Sequence, residues 1–158
     1  MDNPLTLLTL MWRAHKPSHT IDMKALRNTF WLRKGYAALT FFGTIVTATD
    51  EEAQELNGQL TSLKNHEMIH LKQAQSCGDS WVRFYLLYIY YWLRALPQNR
   101  YHRHAAYWLN PFELEAYQHM NDLHYLEKCT NGATEWRKYA RMKPAERRRR
   151  FLSSQSSH

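Results

Sequence analysis

The sequence predicts an α+β fold, with a small N-terminal β-sheet followed by a mainly helical part. Residues 28–48 are rich in β-branched and aromatic residues, whereas the chain after residue 48 shows helical spacing with recognisable helix starts and stops. At 158 residues the chain is long enough to bury the core of one domain. We therefore expect a single domain at residues 1–142 and a basic, flexible tail at residues 143–158.

The strand region is NTFWLRKGYAALTFFGTIVTA, and it contains two turn signals. The pair Lys34-Gly35 and the single Gly43 each favour a tight turn, so we predict two or three short strands here. The N-terminus, MDNPLTLLTLMWRAHK, carries Asp2 where a signal peptide would carry Lys or Arg, and no small-residue cleavage site follows it. We interpret this N-terminal stretch as folded structure.

The first helical region begins directly after the strands. Thr49 and Glu52 have the spacing of a capping box, which predicts a helix start. The pair Asn57-Gly58 is expected to interrupt this helix, which should then continue over residues 59–76.

The second half of this helix carries KNHEMIHLKQ, in which His66, Glu67 and His70 form an H-E-x-x-H pattern. Composition alone predicts roughly 0.03 occurrences of this pattern in the chain, so its significance depends on structural context. A helix provides that context, because the pattern falls on a predicted core-facing stripe at helical spacing. The stripe comprises Leu60, Leu63, Glu67, His70, Leu71 and Ala74.

The pattern predicts a zinc site. Two histidines four residues apart on a helix project from one face, so the imidazoles of His66 and His70 can bind one Zn²⁺. Glu67 would lie beside the metal, where it can accept a proton from the zinc-bound water and pass it to the leaving amine. A catalytic zinc has three protein ligands and an open fourth position, so one further ligand is needed.

A long apolar helix is predicted next. Asp79 and Ser80 can cap a helix through WVRFYLLYIYYWLRAL, which Pro97 ends. Its all-round apolar character predicts burial, with a substrate groove or a membrane-surface role as the alternative. The run is shorter than the roughly 18 residues needed to span a bilayer and contains Arg83, so we predict no membrane span.

The following helix, LNPFELEAYQHMNDLHYLEKC, has Asn110 as its N-cap and Pro111 at the first helical position, and TNG ends it. Glu113, three residues after Asn110, fits the returning half of a capping box. Helical spacing places Glu113, Tyr117, Met120 and His124 on one face and Glu115, His119 and Asp122 on another. Only one of these faces can meet the metal.

The segment HEMIHLKQ followed by NPFELEAY resembles the gluzincin branch of zinc metallopeptidases, in which a Glu on a later helix completes the H-E-x-x-H site. The strand GTIVT before the motif helix is similar to the substrate-holding edge strand of compact peptidases of the CAAX-prenyl-protease type. The resemblance covers residues 37–120. It implies that Glu113 is the third zinc ligand, ahead of Glu115, and that an extended peptide lies beside residues 43–47.

The resemblance also places Ala116 at the family's small position and Tyr117 where the family usually has an Asp. That Asp orients a ligand His, and Tyr117 brings no charge at neutral pH, so Glu115 or Asp122 would have to take its role. The polar candidates for stabilising an oxyanion are His102, His104 and Tyr107.

These observations favour a zinc-dependent metallopeptidase, with the two histidines of the pattern and Glu113 on zinc and Glu67 as base. The alternative is a non-catalytic module on the same scaffold, with a structural zinc closed by His119 or His124, or with a partner bound through the basic tail. A ferritin-like carboxylate bundle would need a second E-x-x-H, which the sequence lacks.

The net charge of +7 is concentrated near the C-terminus. From residue 133 onward there are eight basic residues and two acidic ones, so this segment carries +6 and the rest is nearly neutral. We interpret it as a solvated tail, with a phosphate or anionic-membrane patch as the alternative, and nucleic-acid binding is not expected.

Cys77 and Cys129 lack C-x-x-C spacing, so reduced thiols in a cytoplasmic protein are predicted. The expected partner is a peptide or protein substrate.

Overall fold

The computed structural model describes residues 16–17, 24–27, 38–97 and 103–155. These residues form three strands and seven α-helices, which confirms the predicted α+β class. The predicted turn at Lys34-Gly35 and most of the N-terminal stretch lie outside the described residues. The elements are β1 (Lys24–Arg27), β2 (Ala38–Phe41), β3 (Thr44–Thr47), α1 (Asp50–Gly58), α2 (Ser62–Ser76), α3 (Trp81–Ala95), α4 (Arg103–Trp108), α5 (Pro111–His119), a 3-10 helix (Tyr125–Lys128), α6 (Trp136–Arg141) and α7 (Pro144–Gln155).

The three strands form one sheet in the order β1-β3-β2. Strand β1 is parallel to β3, and β2 is antiparallel to β3 with Ala38 opposite Thr47. Phe42 and Gly43 connect β2 to β3 with φ angles of 47° and 82°. Positive φ at both central residues is typical of a two-residue hairpin turn, so the turn predicted at Gly43 is confirmed.

Side chains from two helices cap the outer edges of the sheet. At the β1 edge, Asn57 of α1 accepts from the Ala25 N–H and donates to the Ala25 carbonyl, both at 2.9 Å. At the β2 edge, the Tyr85 hydroxyl of α3 donates to the Thr40 carbonyl and accepts from the Phe42 N–H, both at 3.0 Å. Strand β3 lies between the other two strands and is fully buried.

The region after the sheet forms two helices because each has its own N-cap. At the start of α1, the Thr49 hydroxyl accepts from the Glu52 N–H and the Glu52 carboxylate accepts from the Thr49 N–H. This confirms the predicted capping box. The Thr61 hydroxyl accepts from the Lys64 N–H and starts α2. The interruption predicted at the Asn-Gly pair is therefore a complete break.

Helix α3 has one buried face and one exposed face. Ser80 accepts from the Arg83 N–H at its start, as predicted. The inward face packs Trp81 and Phe84 into an aromatic cluster with Phe112 of α5. The prediction of all-round burial is wrong, because among the described residues the core packs against only this face. The opposite face leaves five large apolar side chains exposed: Val82, Leu86, Ile89, Tyr90 and Leu93.

Helix α5 starts as predicted but ends ten residues earlier than expected. Asn110 is the N-cap, and Pro111 occupies the first turn. The end at His119 has a tertiary cause, since the Asn65 side chain of α2 reaches across to this point. Its Nδ2 donates to the backbone carbonyls of His119, Met120 and Asp122. These bonds satisfy carbonyl groups that a longer helix would have used internally, so the chain turns.

The basic C-terminal segment, predicted to be a flexible tail, forms helix α7 over Pro144–Gln155. Arg147 is fully buried, and its Nη1 donates to the Leu109 carbonyl at 2.8 Å. One of the arginines counted as a solvated charge is therefore buried and attaches the segment to Leu109, which directly follows α4. The remaining arginines of this run stay exposed.

Two predictions related to the cellular compartment can be compared with the structure. In the described part of the chain, no helix has the length and apolar character needed to cross a membrane. Cys77 and Cys129 are both free and buried. The cytoplasmic location itself stays a prediction.

Candidate metal centre

The predicted helix under the H-E-x-x-H pattern is present as α2, and it turns the polar residues of the pattern inward. Helix α2 packs against β2 and α5. His66, Glu67 and His70 are 3%, 4% and 6% exposed, and Glu113 on α5 is 2% exposed. Buried polar groups are costly unless they are paired, so these four side chains require partners.

Glu113 meets both histidines directly. The Nε2 atoms of His66 and His70 are 3.2 Å apart. Glu113 Oε2 lies 3.4 Å from Nε2 of His66, and Glu113 Oε1 lies 3.4 Å from Nε2 of His70. These three residues form a group that could hold a metal ion, and no other such group occurs among the described residues.

The donor set fits a metal ion because it leaves a buried acceptor unused. Glu113 Oε2 has no hydrogen-bond partner within the residues that the structure describes. A cation between the carboxylate and the two Nε2 atoms would satisfy Oε2 and both imidazole lone pairs together. Two imidazoles and a carboxylate are also ligands that first-row divalent metals commonly bind.

The electrostatics of the centre favour a positive charge at this point. Burial lowers the pKa of His70, but the charge and hydrogen bond of Glu113 outweigh burial and raise the pKa to about 9. Burial raises the pKa of Glu113, but His70 and His66 outweigh it and hold the pKa well below its ordinary value. At neutral pH the metal-free centre therefore contains a protonated His70 and an ionised Glu113.

Glu113 serves the centre and not the start of its helix. The N-cap bond of α5 runs from the Phe112 N–H to Asn110 Oδ1 at 3.2 Å. The Glu113 carboxylate accepts from the Tyr88 hydroxyl of α3 at 2.7 Å and faces the histidines. The capping-box interpretation of Glu113 is therefore wrong, because the side chain points into the core and not back to the N-cap.

Gln73 orients His70 toward the centre. Gln73 Oε1 lies 2.8 Å from His70 Nδ1. Gln73 Nε2 donates to the Phe112 carbonyl at 2.9 Å and to Glu115 Oε2 at 2.8 Å, and this establishes which end of the amide faces His70. His70 Nδ1 must therefore donate to Gln73, which directs the Nε2 lone pair of the neutral ring to a metal.

Glu115, the other candidate for the third ligand, has a structural role. Its carboxylate accepts from Gln73 Nε2, the Tyr125 hydroxyl and the backbone N–H groups of Glu135 and Trp136. These four donors satisfy both oxygens and hold the start of α6. Glu115 also supports His70 through Gln73. In the resembled family, the Asp at the position of Tyr117 is expected to orient a ligand histidine, and Glu115 fulfils part of that role here.

His66 has no corresponding support. Its Nδ1 is buried and lacks a hydrogen-bond partner among the described residues. The ring of Tyr117 lies edge-on against the imidazole, with 4.4 Å between the ring centroids. Tyr117 therefore packs against His66 but does not accept a hydrogen bond from Nδ1. The orientation of His66 depends on packing, whereas that of His70 depends on a hydrogen bond.

Glu67 lies beside the donor group without belonging to it. It is adjacent to His66 in α2, and its carboxylate is not one of the three metal donors. Its Oε2 accepts from the hydroxyl of Thr40, which is buried on β2. The sheet thus holds the carboxylate of the residue that directly follows His66 in α2.

The histidines considered as fourth ligands lie apart from the centre. His119 stacks on Tyr125, and its Nε2 is 3.3 Å from Glu135 Oε2. His124 is exposed and pairs with Glu127 at 2.9 Å. The early end of α5 explains the position of His124, because the chain beyond His119 no longer follows the helical spacing. In the part of the chain that the structure describes, neither histidine joins the donor group.

The remaining residues that the sequence suggested, as a substitute for the missing Asp or as oxyanion stabilisers, have different positions. Asp122 pairs with Lys128 at 3.0 Å and does not reach a ligand histidine. Tyr107 lies near the centre, since burial and then the charge of Glu113 raise its pKa. His102 and the side chain of His104 lie outside the described residues.

The sequence prediction missed three residues of the centre: Thr40, Gln73 and Tyr88. Gln73 follows His70 by three residues on one helix, and this spacing could have identified it. Thr40 and Tyr88 reach the centre from β2 and α3, and no local pattern indicates that they would.

The chain matches no protein-family model, no curated protein sequence and no solved structure in comparisons with known proteins. The functional assignment therefore depends on the geometry of the centre and on the chemistry of its residues.

Proposed function

We propose that the chain is a zinc-dependent peptidase, with His66, His70 and Glu113 as metal ligands and Glu67 as general base. The spacing of the three donor groups supports this proposal most directly. A tetrahedral zinc with bonds of about 2.0–2.1 Å has neighbouring ligand atoms about 3.3 Å apart. Here the two Nε2 atoms are 3.2 Å apart, and each lies 3.4 Å from a different oxygen of Glu113.

The ligand types favour zinc. Two histidines and one glutamate are the protein ligands of one group of catalytic zinc sites. Three of the described residues form the donor group, which leaves a fourth position open for water or substrate. When bound, the ion would polarise the peptide carbonyl and lower the pKa of a coordinated water.

Glu67 would carry the proton during hydrolysis. As a carboxylate beside the centre, it can accept a proton from the attacking water and deliver it to the nitrogen of the leaving amine. The Thr40 hydroxyl donates to Oε2 of Glu67, which restricts the orientation of the carboxylate. The Tyr88 hydroxyl orients Glu113 in the same way.

The substrate would be an extended peptide paired with β2. The prediction that residues 43–47 hold the substrate is wrong, because β3 is central and pairs with a strand on both sides. Strand β2 contacts the base through Thr40, and its outer edge faces α3. The Tyr85 hydroxyl bonds there to the Thr40 carbonyl and the Phe42 N–H. A peptide strand would replace that hydroxyl with its own backbone groups.

A comparison of the wild type with Glu67→Gln on a peptide library tests the proposal. The variant should fold and hold zinc, because Glu67 is not a ligand, but hydrolysis should fall about 10²–10⁴-fold. Glu55→Gln makes the same chemical change at an exposed position on α1 and should leave hydrolysis unchanged. Wild-type protein that holds one zinc per chain and cleaves no peptide would count against a peptidase.

The burial of the centre favours one other function, a non-catalytic module with a structural metal. The four polar residues are 6% exposed or less, and structural zinc sites are closed to substrate. In that case a chelator would lower the unfolding temperature strongly, whereas Glu67→Gln would have no functional effect. Measuring both properties on the same protein separates the two functions.

A further inference from the structure

Helix α3 carries an apolar stripe that faces away from the core. Soluble monomers rarely expose a contiguous apolar patch unless it binds something. The five side chains of this stripe are spaced along one face of the helix and are between 51% and 65% exposed. This α3 stripe consists of Val82, Leu86, Ile89, Tyr90 and Leu93.

Two arginines border the α3 stripe on one edge. Arg83 lies seven residues before Tyr90 and Arg94 four residues after it, so helical spacing puts all three along the same edge. Both arginines are exposed, and Arg94 Nη1 lies 3.5 Å from the Tyr90 hydroxyl. Arginine side chains in this position can cover apolar surface with their stems and keep their charged ends at a polar boundary.

Helix α7 adds positive charge next to this edge. Burial lowers the pKa of Arg147, and the nearby charge of Arg94 lowers it further, so the two guanidinium groups are neighbours. Arg147 Nε and Nη2 have no hydrogen-bond partner within the described residues. Arg148 and Arg149, which follow in α7, are exposed. Arg147 itself is fully buried, so the charge open to an external anion is that of the exposed Arg83 and Arg94 on α3 and of Arg148 and Arg149 on α7.

We propose that the α3 stripe and its arginine edge form a docking surface for an anionic lipid bilayer. Helix α3 has 15 residues, so it would lie along the membrane surface and not cross it. The stripe would contact the acyl chains, and the arginines would lie level with the lipid phosphates. A second copy of the chain is a poorer occupant, because pairing two stripes would bring two positive edges together.

Co-flotation of the full chain with lipid vesicles tests this proposal. One set of vesicles contains phosphatidylcholine and phosphatidylserine, and the other contains phosphatidylcholine alone. The protein should float with the anionic vesicles and bind the neutral ones about tenfold less. Added salt should weaken binding to the anionic vesicles, because it screens the exposed arginines.

A pair of variants identifies the surface. Leu86→Ser combined with Leu93→Ser should lower binding to the anionic vesicles by about tenfold or more, because it removes apolar contact area. Leu123→Ser is the matched control, since Leu123 is 40% exposed and lies outside α3. The control should float like the wild type, and each variant should keep the wild-type unfolding temperature because the altered side chains are on the surface.

Either of two kinds of result, in flotation or in oligomeric state, would overturn the proposal. One is failure of the wild type to float with anionic vesicles, or equal flotation of the double serine variant. The other is a wild-type dimer in solution that the double serine variant converts to a monomer, since a second copy would then cover the stripe. Glu67→Gln should float normally, so the outcome of the peptidase test does not affect this one.

Discussion

Gln73 Oε1 lies 2.8 Å from Nδ1 of His70, and Nε2 of the same amide donates to Glu115. The three side chains form a continuous line of hydrogen bonds from a candidate metal ligand to a buried carboxylate. The orientation of His70 therefore depends on two residues that do not themselves contact the metal position.

Gln73→Met should weaken zinc binding about 10–100-fold, which is the usual effect of losing an outer hydrogen bond to a ligand histidine. Methionine fills a similar volume, so the packing around α2 should be retained. Chelator competition measures the affinity. Gln75→Met, two residues along the same helix, is the control, and equal affinities in the two variants would contradict the role of Gln73.

Glu113→Gln should lose most of its zinc affinity without loss of helix content. The amide is a much poorer ligand than a carboxylate, while the N-cap bond of α5 uses Asn110 and is unaffected. Glu115→Gln should have the opposite effects on zinc affinity and on stability. It should keep one zinc per chain but lower the free energy of unfolding by about 1–3 kcal/mol, because a carboxylate with four donors loses an acceptor. Metal analysis and denaturant unfolding of both variants check this, and the opposite pattern would make Glu115 the ligand.

Tyr117→Asp should strengthen zinc binding about tenfold or more. The buried Nδ1 of His66 has no acceptor among the described residues, and a carboxylate at position 117 would supply one. Tyr117→Ala also removes the ring that packs on His66 but adds no acceptor, so it should show no gain. If both variants bind zinc equally well, the missing carboxylate does not limit affinity.

Zinc binding should strengthen as the pH rises. Burial lowers the pKa of His70, but Glu113 raises it to about 9 in the metal-free protein, so below that pH a proton must leave when the metal binds. The apparent affinity should increase about tenfold per pH unit between about pH 7 and pH 9 and then level off. Titration calorimetry in buffers of different ionisation enthalpy should detect the released proton. A constant affinity over this range would contradict protonation of His70.

The stability of the metal-free protein should change in the opposite direction. A raised histidine pKa contributes stability that is complete below the ordinary value of 6.5 and is lost as the pH rises through about 9. Denaturant unfolding in the presence of a chelator should therefore show a lower free energy of unfolding at the alkaline end of this range. Glu113→Gln should remove most of this dependence, because it removes the charge that raises the pKa of His70.

Local patterns predicted the starts of the main elements correctly. The capping box at Thr49, the N-caps Ser80 and Asn110 and the turn at Gly43 depend on hydrogen bonds or backbone angles within a few residues. The wrong predictions concern the ends and surroundings of elements. Helix α5 ends early because of Asn65, and Arg147 of α7 is buried against the Leu109 carbonyl instead of being solvated.

By itself, the sequence determined the α+β class and the placement of two histidines and a glutamate on one helix, because both follow from spacing along the chain. The local pattern allowed Glu113 or Glu115 as the third ligand. Only the tertiary structure brought Glu113 to the histidines, Glu115 to Gln73 and Thr40 to Glu67. Residues in the last two pairs are 42 and 27 positions apart, so their contact depends on how α2 packs against α5 and β2 and not on any local pattern.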